Sequence, residues 1–152
     1  MKKWMLAFGM VMLALTVSAQ EGAGKDNKLL QAFNSFSAAT LYNTYGIIGS
    51  IGDGFGADAY DAETVKNLLE AQKSLMDNLV KVMEELKTSG SVADSVTVNY
   101  INSSVSIMKN LKEQARLMID YSRTKKRQAL EAYEKQRNTN WKDISHLMGI
   151  PE

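Results

Sequence analysis

The chain has 152 residues, with 18 basic and 17 acidic side chains, one histidine, one proline and no cysteine. That length suits a single domain once any leader is removed. The missing thiols rule out disulfides and cysteine catalysis, a lone histidine cannot complete a zinc site, and a net charge of +1 gives no field to gather nucleic acid.

The N-terminus reads as a secretory signal. Lys2 and Lys3 precede an apolar run from Trp4 to Val17, and Val17-Ser18-Ala19 supplies the small residues of a cleavage site. The run is shorter than the roughly 20 residues that cross a bilayer. Residues 1–19 are therefore expected to be removed, leaving a single domain over 20–152 that begins at Gln20. Loss of Lys2 and Lys3 leaves 16 basic against 17 acidic residues, a net charge of −1.

The sole proline is Pro151, so nothing before it forbids long helices. A first helix is expected over about 26–51, beginning near Asp26 as cap, with Leu30, Phe33, Leu41, Thr44, Ile48 and Ile51 at helical spacing. Gly52, Gly54 and Gly56 within five residues predict a break over 52–61, and Asp61 is placed to cap a second helix over about 62–88. There Val65, Leu68, Gln72, Leu75, Leu79, Val82 and Leu86 alternate steps of three and four, a heptad seam flanked by Leu69, Met76 and Met83. After a turn around Gly90, Asp94 or Ser95 caps a third helix expected to run over about 95–137. It carries Val98, Ile101, Val105, Met108, Leu111, Ala115, Met118 and Tyr121 on its core face. At 1.5 Å per residue it would measure about 65 Å against about 40 Å for the first two, so its charged second half should overhang or bend back. A short apolar helix over about 140–148 is expected to cap the bundle. The fold class is thus all-α: an elongated antiparallel three-helix bundle with a long third helix, a short C-terminal helix and coiled-coil character.

Catalytic chemistry finds little footing. His146 sits in Asp143-x-x-His146 with no further histidine or cysteine to complete a site, and no Gly-x-Ser-x-Gly elbow presents a serine. Glu84-Glu85 and the acids Asp53, Asp58, Asp61 and Glu63 could pair as acid and base, but helix surfaces carry such pairs routinely. The same loop acids do not follow calcium-loop spacing. No catalytic, cofactor-binding or metal residue is assigned, no cofactor is expected, and the chain is read as not an enzyme.

Two segments carry the binding expectation. Arg123, Lys125, Lys126, Arg127, Lys135 and Arg137 form a basic run, which reads as a solvated helix end or, more sharply, as a docking face for an acidic partner or an anionic membrane surface. Gly46, Ile47, Ile48, Gly49, Ile51 and Phe55 alternate small and bulky apolar residues, which suits close helix packing, a partner or self-association surface, or shallow seating on a membrane surface. The expected role is an exported, non-catalytic binding or assembly component of a bacterial envelope or secretion apparatus, periplasmic or extracellular, with a protein partner and no nucleic acid. The alternatives are a peripheral membrane-surface protein using 45–57 and a small enzyme using loop carboxylates. Sequencing the N-terminus of the exported protein should return Gln20 as its first residue; an intact Met1 would refute the leader.

Overall fold

The computed structural model describes residues 25–90, 92 and 94–151; the expected leader, 1–19, and its exit at Gln20 lie outside them. Among the described residues there are four helices and no strand: α1 (Lys25–Gly56), α2 (Ala62–Thr88), α3 (Ser95–Thr124) and α4 (Arg127–Met148). The chain divides into two compact units between Gln31 and Ala32. Residues 25–31 belong to the first unit, and the rest of α1 packs with α2, α3 and α4 in the second, an all-helical bundle.

α3 is the central element. Its buried residues, from Thr97 through Ile101, Met108, Leu111 and Ala115 to Ser122, spread well beyond one narrow stripe. Tyr100 donates to the Asn34 carbonyl of α1 (2.7 Å), and Tyr121 meets Phe55 edge-on at 5.7 Å between centroids. On another flank α3 holds α2, through Lys109 to Glu84 (3.6 Å) and Lys112 to Asp77. A third flank receives α4 through Asn110 and Gln114.

Local chemistry explains the helix starts. The Asp61 carboxylate accepts from the Thr64 amide (2.7 Å) and the Asp94 carboxylate from the Thr97 amide (2.8 Å), each satisfying an amide that a helix N-terminus leaves free. Those bonds to Thr64 and Thr97 hold both carboxyls below the usual carboxylate range. α4 ends in a left-handed Gly149 (φ 65°), with Ile150 N–H returning to the Ser145 carbonyl (2.9 Å).

Three expectations need correction. The helix expected to end at 51 continues to Gly56; Gly52 and Gly54 lie under Tyr133 and Tyr60, and that packing outweighs a propensity cost of about 1 kcal/mol each. The third helix does not run to 137. α3 ends at Thr124, where Lys125 adopts the left-handed conformation (φ 52°), and the chain resumes as a separate helix, α4, which is unbroken through the gap expected at 138–139. Its Ala129, Tyr133 and Ile144 are buried, so 122–137 does not overhang as a unit.

The third correction concerns α2. Its buried residues are Val65, Leu69, Met76 and Met83, whereas Leu68, Leu75 and Val82 of the expected seam are 40%, 46% and 57% exposed. The residues that seemed to widen the seam are its centre, and the seam's other half faces outward. Leu69→Ala should cost about 2–5 kcal/mol in chemical denaturation and Leu75→Ala less than about 1 kcal/mol. Equal losses would restore the heptad register.

Candidate functional site

Among the described residues, the most organised polar group is a layer inside the bundle where α4 meets α3 and α1. Asn140 is fully buried, and its amide donates to Gln114 Oε1 (2.8 Å) and the Asn110 carbonyl (3.2 Å) while its oxygen accepts from Gln136 Nε2 (2.9 Å). Asn110 Nδ2 reaches Asp143 at 3.4 Å. Two turns before Asn140, Tyr133 is buried with its hydroxyl beside Gln114, outside hydrogen-bonding geometry, so that hydroxyl and Gln114 Nε2 both stay unpaired within the protein.

Arg137 carries the layer to the surface. Its guanidinium donates to both Asp53 oxygens (3.1 and 3.5 Å) and lies over α1, where a Cβ at Gly49 would come within 3.3 Å of it. Burial opposes the Arg137 charge, but the hydrogen bond to Asp53 and the surrounding groups outweigh it and push its proton affinity above the ordinary value. Trp141 stands next, tilted against Tyr45 (5.7 Å between centroids) and Tyr42 (6.3 Å). Amides, an un-ionised phenol and a paired guanidinium can fix helix register; none is a nucleophile or a base at neutral pH.

The carboxylates named from sequence are spread over separate tasks. Asp53 holds Arg137, Asp61 caps α2, and Glu84 is held below the usual range by Lys87 and then Lys109. A general acid at neutral pH needs the opposite shift. Among the described residues no three histidine, aspartate or glutamate side chains gather as a metal site, and His146 is exposed in the last turn of α4.

The six basic residues do not form one patch. Arg123, Lys125, Lys126 and Arg127 surround the α3–α4 turn, with Arg123 paired to Asp120 (3.1 Å), Arg127 to Glu131 (2.8 Å) and Lys125 Nζ 5.6 Å from the Phe55 ring centre. An open cleft beside them is lined by Leu117, Asp120, Arg123, Lys126 and Ala132 among others. Arg137 is drawn onto α1, and Lys135 is exposed. In the glycine-rich segment Ile48, Gly49, Ile51 and Phe55 are buried, and Gly46 and Ile47 face out, Ile47 at 44% exposure.

The sequence reading missed the outward face of α2. Leu68, Leu75 and Val82 recur every seven residues in the open, and Phe36 of α1 is 75% exposed. The signal was present in the heptad, read with the wrong side inward. It also passed over Gln114 and Asn140, polar residues on apolar stripes beside Leu111 and Ile144.

No family model matches the chain, and no curated protein or solved structure matches it significantly.

Burial pushes the Tyr133 phenol up to about 12, whereas an unfolded tyrosine titrates near 10. The folded state therefore keeps a proton the unfolded chain loses, and stability should fall as pH rises from about 10 to 12, by on the order of 2–3 kcal/mol. Denaturation of wild type and Tyr133→Phe across that range checks this: the difference between them should change with pH, and a constant difference would refute a buried un-ionised phenol.

Proposed function

We propose that this chain is an exported, non-catalytic assembly component that docks a protein partner along its helix faces. The observation that carries the reading is the outward stripe Leu68, Leu75 and Val82 on a helix whose opposite side is already buried. Exposed apolar residues repeated along one helix face fit a groove or a second helix. The Lys2–Ala19 pattern supports export. The pairs Lys87–Asn102 and Asp77–Lys112 support antiparallel packing of α2 on α3, and Gln114–Asn140 with Asn110–Asp143 support the same for α3 and α4. The basic turn at Arg123–Arg127 offers a second contact, for an acidic region of the partner.

A membrane-surface role has one observation in its favour. From Leu29 to Gly52 α1 carries no charged residue, and Phe36 and Ile47 are exposed on it. Against it, Ile48, Ile51 and Phe55 are turned inward, which removes most of the 45–57 segment from a bilayer. Among the described residues no helix is long and apolar enough to cross a membrane.

A photoreactive residue placed at 75, at 47 or at 127 and activated in the envelope tests the reading. An abundant, discrete protein adduct from position 75 is expected. Lipid adducts alone, or none from any of the three positions, would refute a docking role.

A further inference from the structure

We infer that the turn between α3 and α4 is a processing site, at which a trypsin-like endopeptidase cuts the folded protein between Lys125 and Gln128 once the first turn of α4 has opened. The inference stands apart from the assembly reading and names a different class of partner.

Sequence and exposure are the first ground. Lys125, Lys126, Arg127 and Gln128 are exposed in succession, and the first three are cations. An enzyme of this class seats a lysine or arginine against an aspartate in its specificity pocket. The bonds 125–126, 126–127 and 127–128 each have such a residue on the acyl side, so the turn can be engaged in any of these registers. The other connections offer no such residue: 57–61 is Ala-Asp-Ala-Tyr-Asp and 89–94 is Ser-Gly-Ser-Val-Ala-Asp. Apart from Lys125 and Lys126, every lysine and arginine from residue 32 onward stands in a helix. A protease takes its substrate extended, so a helical residue is cut only after its helix opens. The nearest rival is Lys87, one residue inside the end of α2. It is tied to Glu84 (3.2 Å) and to Asn102 of α3 (3.3 Å).

The weakness of the local structure is the second. Lys125 holds a left-handed backbone (φ 52°), which a residue with a side chain adopts at a cost and gives up when the chain is drawn out. Lys126 stands at the N-cap of α4 without a side-chain cap bond, and the first turn of that helix has no acidic residue. Lys125, Lys126 and Arg127 instead crowd positive charge at the positive end of the helix, where it is unfavourable. What holds the turn is slight. The Ala129 and Leu130 amides donate to the Lys126 carbonyl (3.0 and 3.2 Å), Arg127 pairs with Glu131 in the open, and Lys125 reaches the Phe55 ring. Firm packing resumes with Ala129 and Tyr133, which confines the opening to the first turn.

The reaction is hydrolysis. Water adds across the peptide bond; the carbonyl carbon takes the hydroxyl and ends as a carboxylate, and the nitrogen leaves as an amine that takes up the released proton. α4 stays seated through Tyr133, Asn140 and Ile144, with Asn140 bonded to Gln114, so the product is a nicked bundle.

Brief treatment of the purified full chain with trace trypsin tests this, the products being identified by intact mass and N-terminal sequencing. The first cut within residues 32–152 should fall between Lys125 and Gln128. Two variants separate opening from sequence: Lys126→Ser supplies a cap and Lys126→Ala does not, while both keep Lys125 and Arg127. The serine variant should be cut roughly fivefold more slowly than the alanine one, the effect of a single helix cap. A first cut after Lys87 or elsewhere in 32–152, no cut there at all, or equal rates for the two variants overturns the inference.

Discussion

Tyr133 of α4 reaches α1 only because position 52 has no side chain: a Cβ there would stand 2.6 Å from the tyrosine hydroxyl and 3.3 Å from Met118 Sδ. The same holds one turn earlier, where Gly49 lies under the Arg137 guanidinium. These two approaches set how closely α4 lies on α1, and much else follows from that distance. The helix is interrupted at Lys125 rather than continuing as one long helix. Asn140 is thereby delivered into the interior against Gln114, and Trp141 against Tyr42 and Tyr45. The basic residues that cluster in sequence are divided, four at the turn and one folded onto α1.

The polar layer raises a question of cost. Burying an amide without a partner costs about 1–3 kcal/mol. Asn140 avoids this with three hydrogen bonds, but Gln114 Nε2 and the Tyr133 hydroxyl do not find partners within the protein. An all-apolar layer would leave α4 free to slide along α3 by a turn, since leucine meets leucine in either register. Asn140 with Gln114 permits one register only, much as a single buried asparagine does in a coiled coil. The layer is therefore best understood as specifying the arrangement, with the surrounding Ile144, Leu111, Met118 and Ile48 supplying the driving force.

What the sequence revealed and concealed follows from where each feature gets its energy. The starts of α2 and α3 were legible because Asp61 and Asp94 cap them through contacts three residues away. The core face of α3 was legible because it is buried broadly enough that any helical reading finds it. The α3–α4 turn was hidden: Thr124-Lys125-Lys126-Arg127 contains neither glycine nor proline, and the turn exists because α4 has somewhere to pack. The glycines of α1 misled in the other direction, since a run that breaks a solitary helix is what a closely covered one requires. On α2 the pattern held two apolar stripes about 100° apart, and periodicity alone has no means of telling which one meets α3.

That second stripe bears on how far the monomer explains its own sequence. A solvated bundle helix ordinarily carries charge on its outer face. α3 and α4 do so, with Arg116, Arg123, Arg127, Glu131, Lys135 and Lys142 exposed. α1 carries none between Leu29 and Gly52, and α2, although it exposes Lys66, Glu70, Asp77, Lys81 and Glu85, also places leucine, leucine and valine outward at a fixed period. Neither feature serves the interior described here, because Leu41, Ile48, Ile51, Val65, Leu69, Met76 and Met83 already fill it. The exposed stripe of α2 is thus the one repeated apolar feature of the described helices that the interior leaves unused.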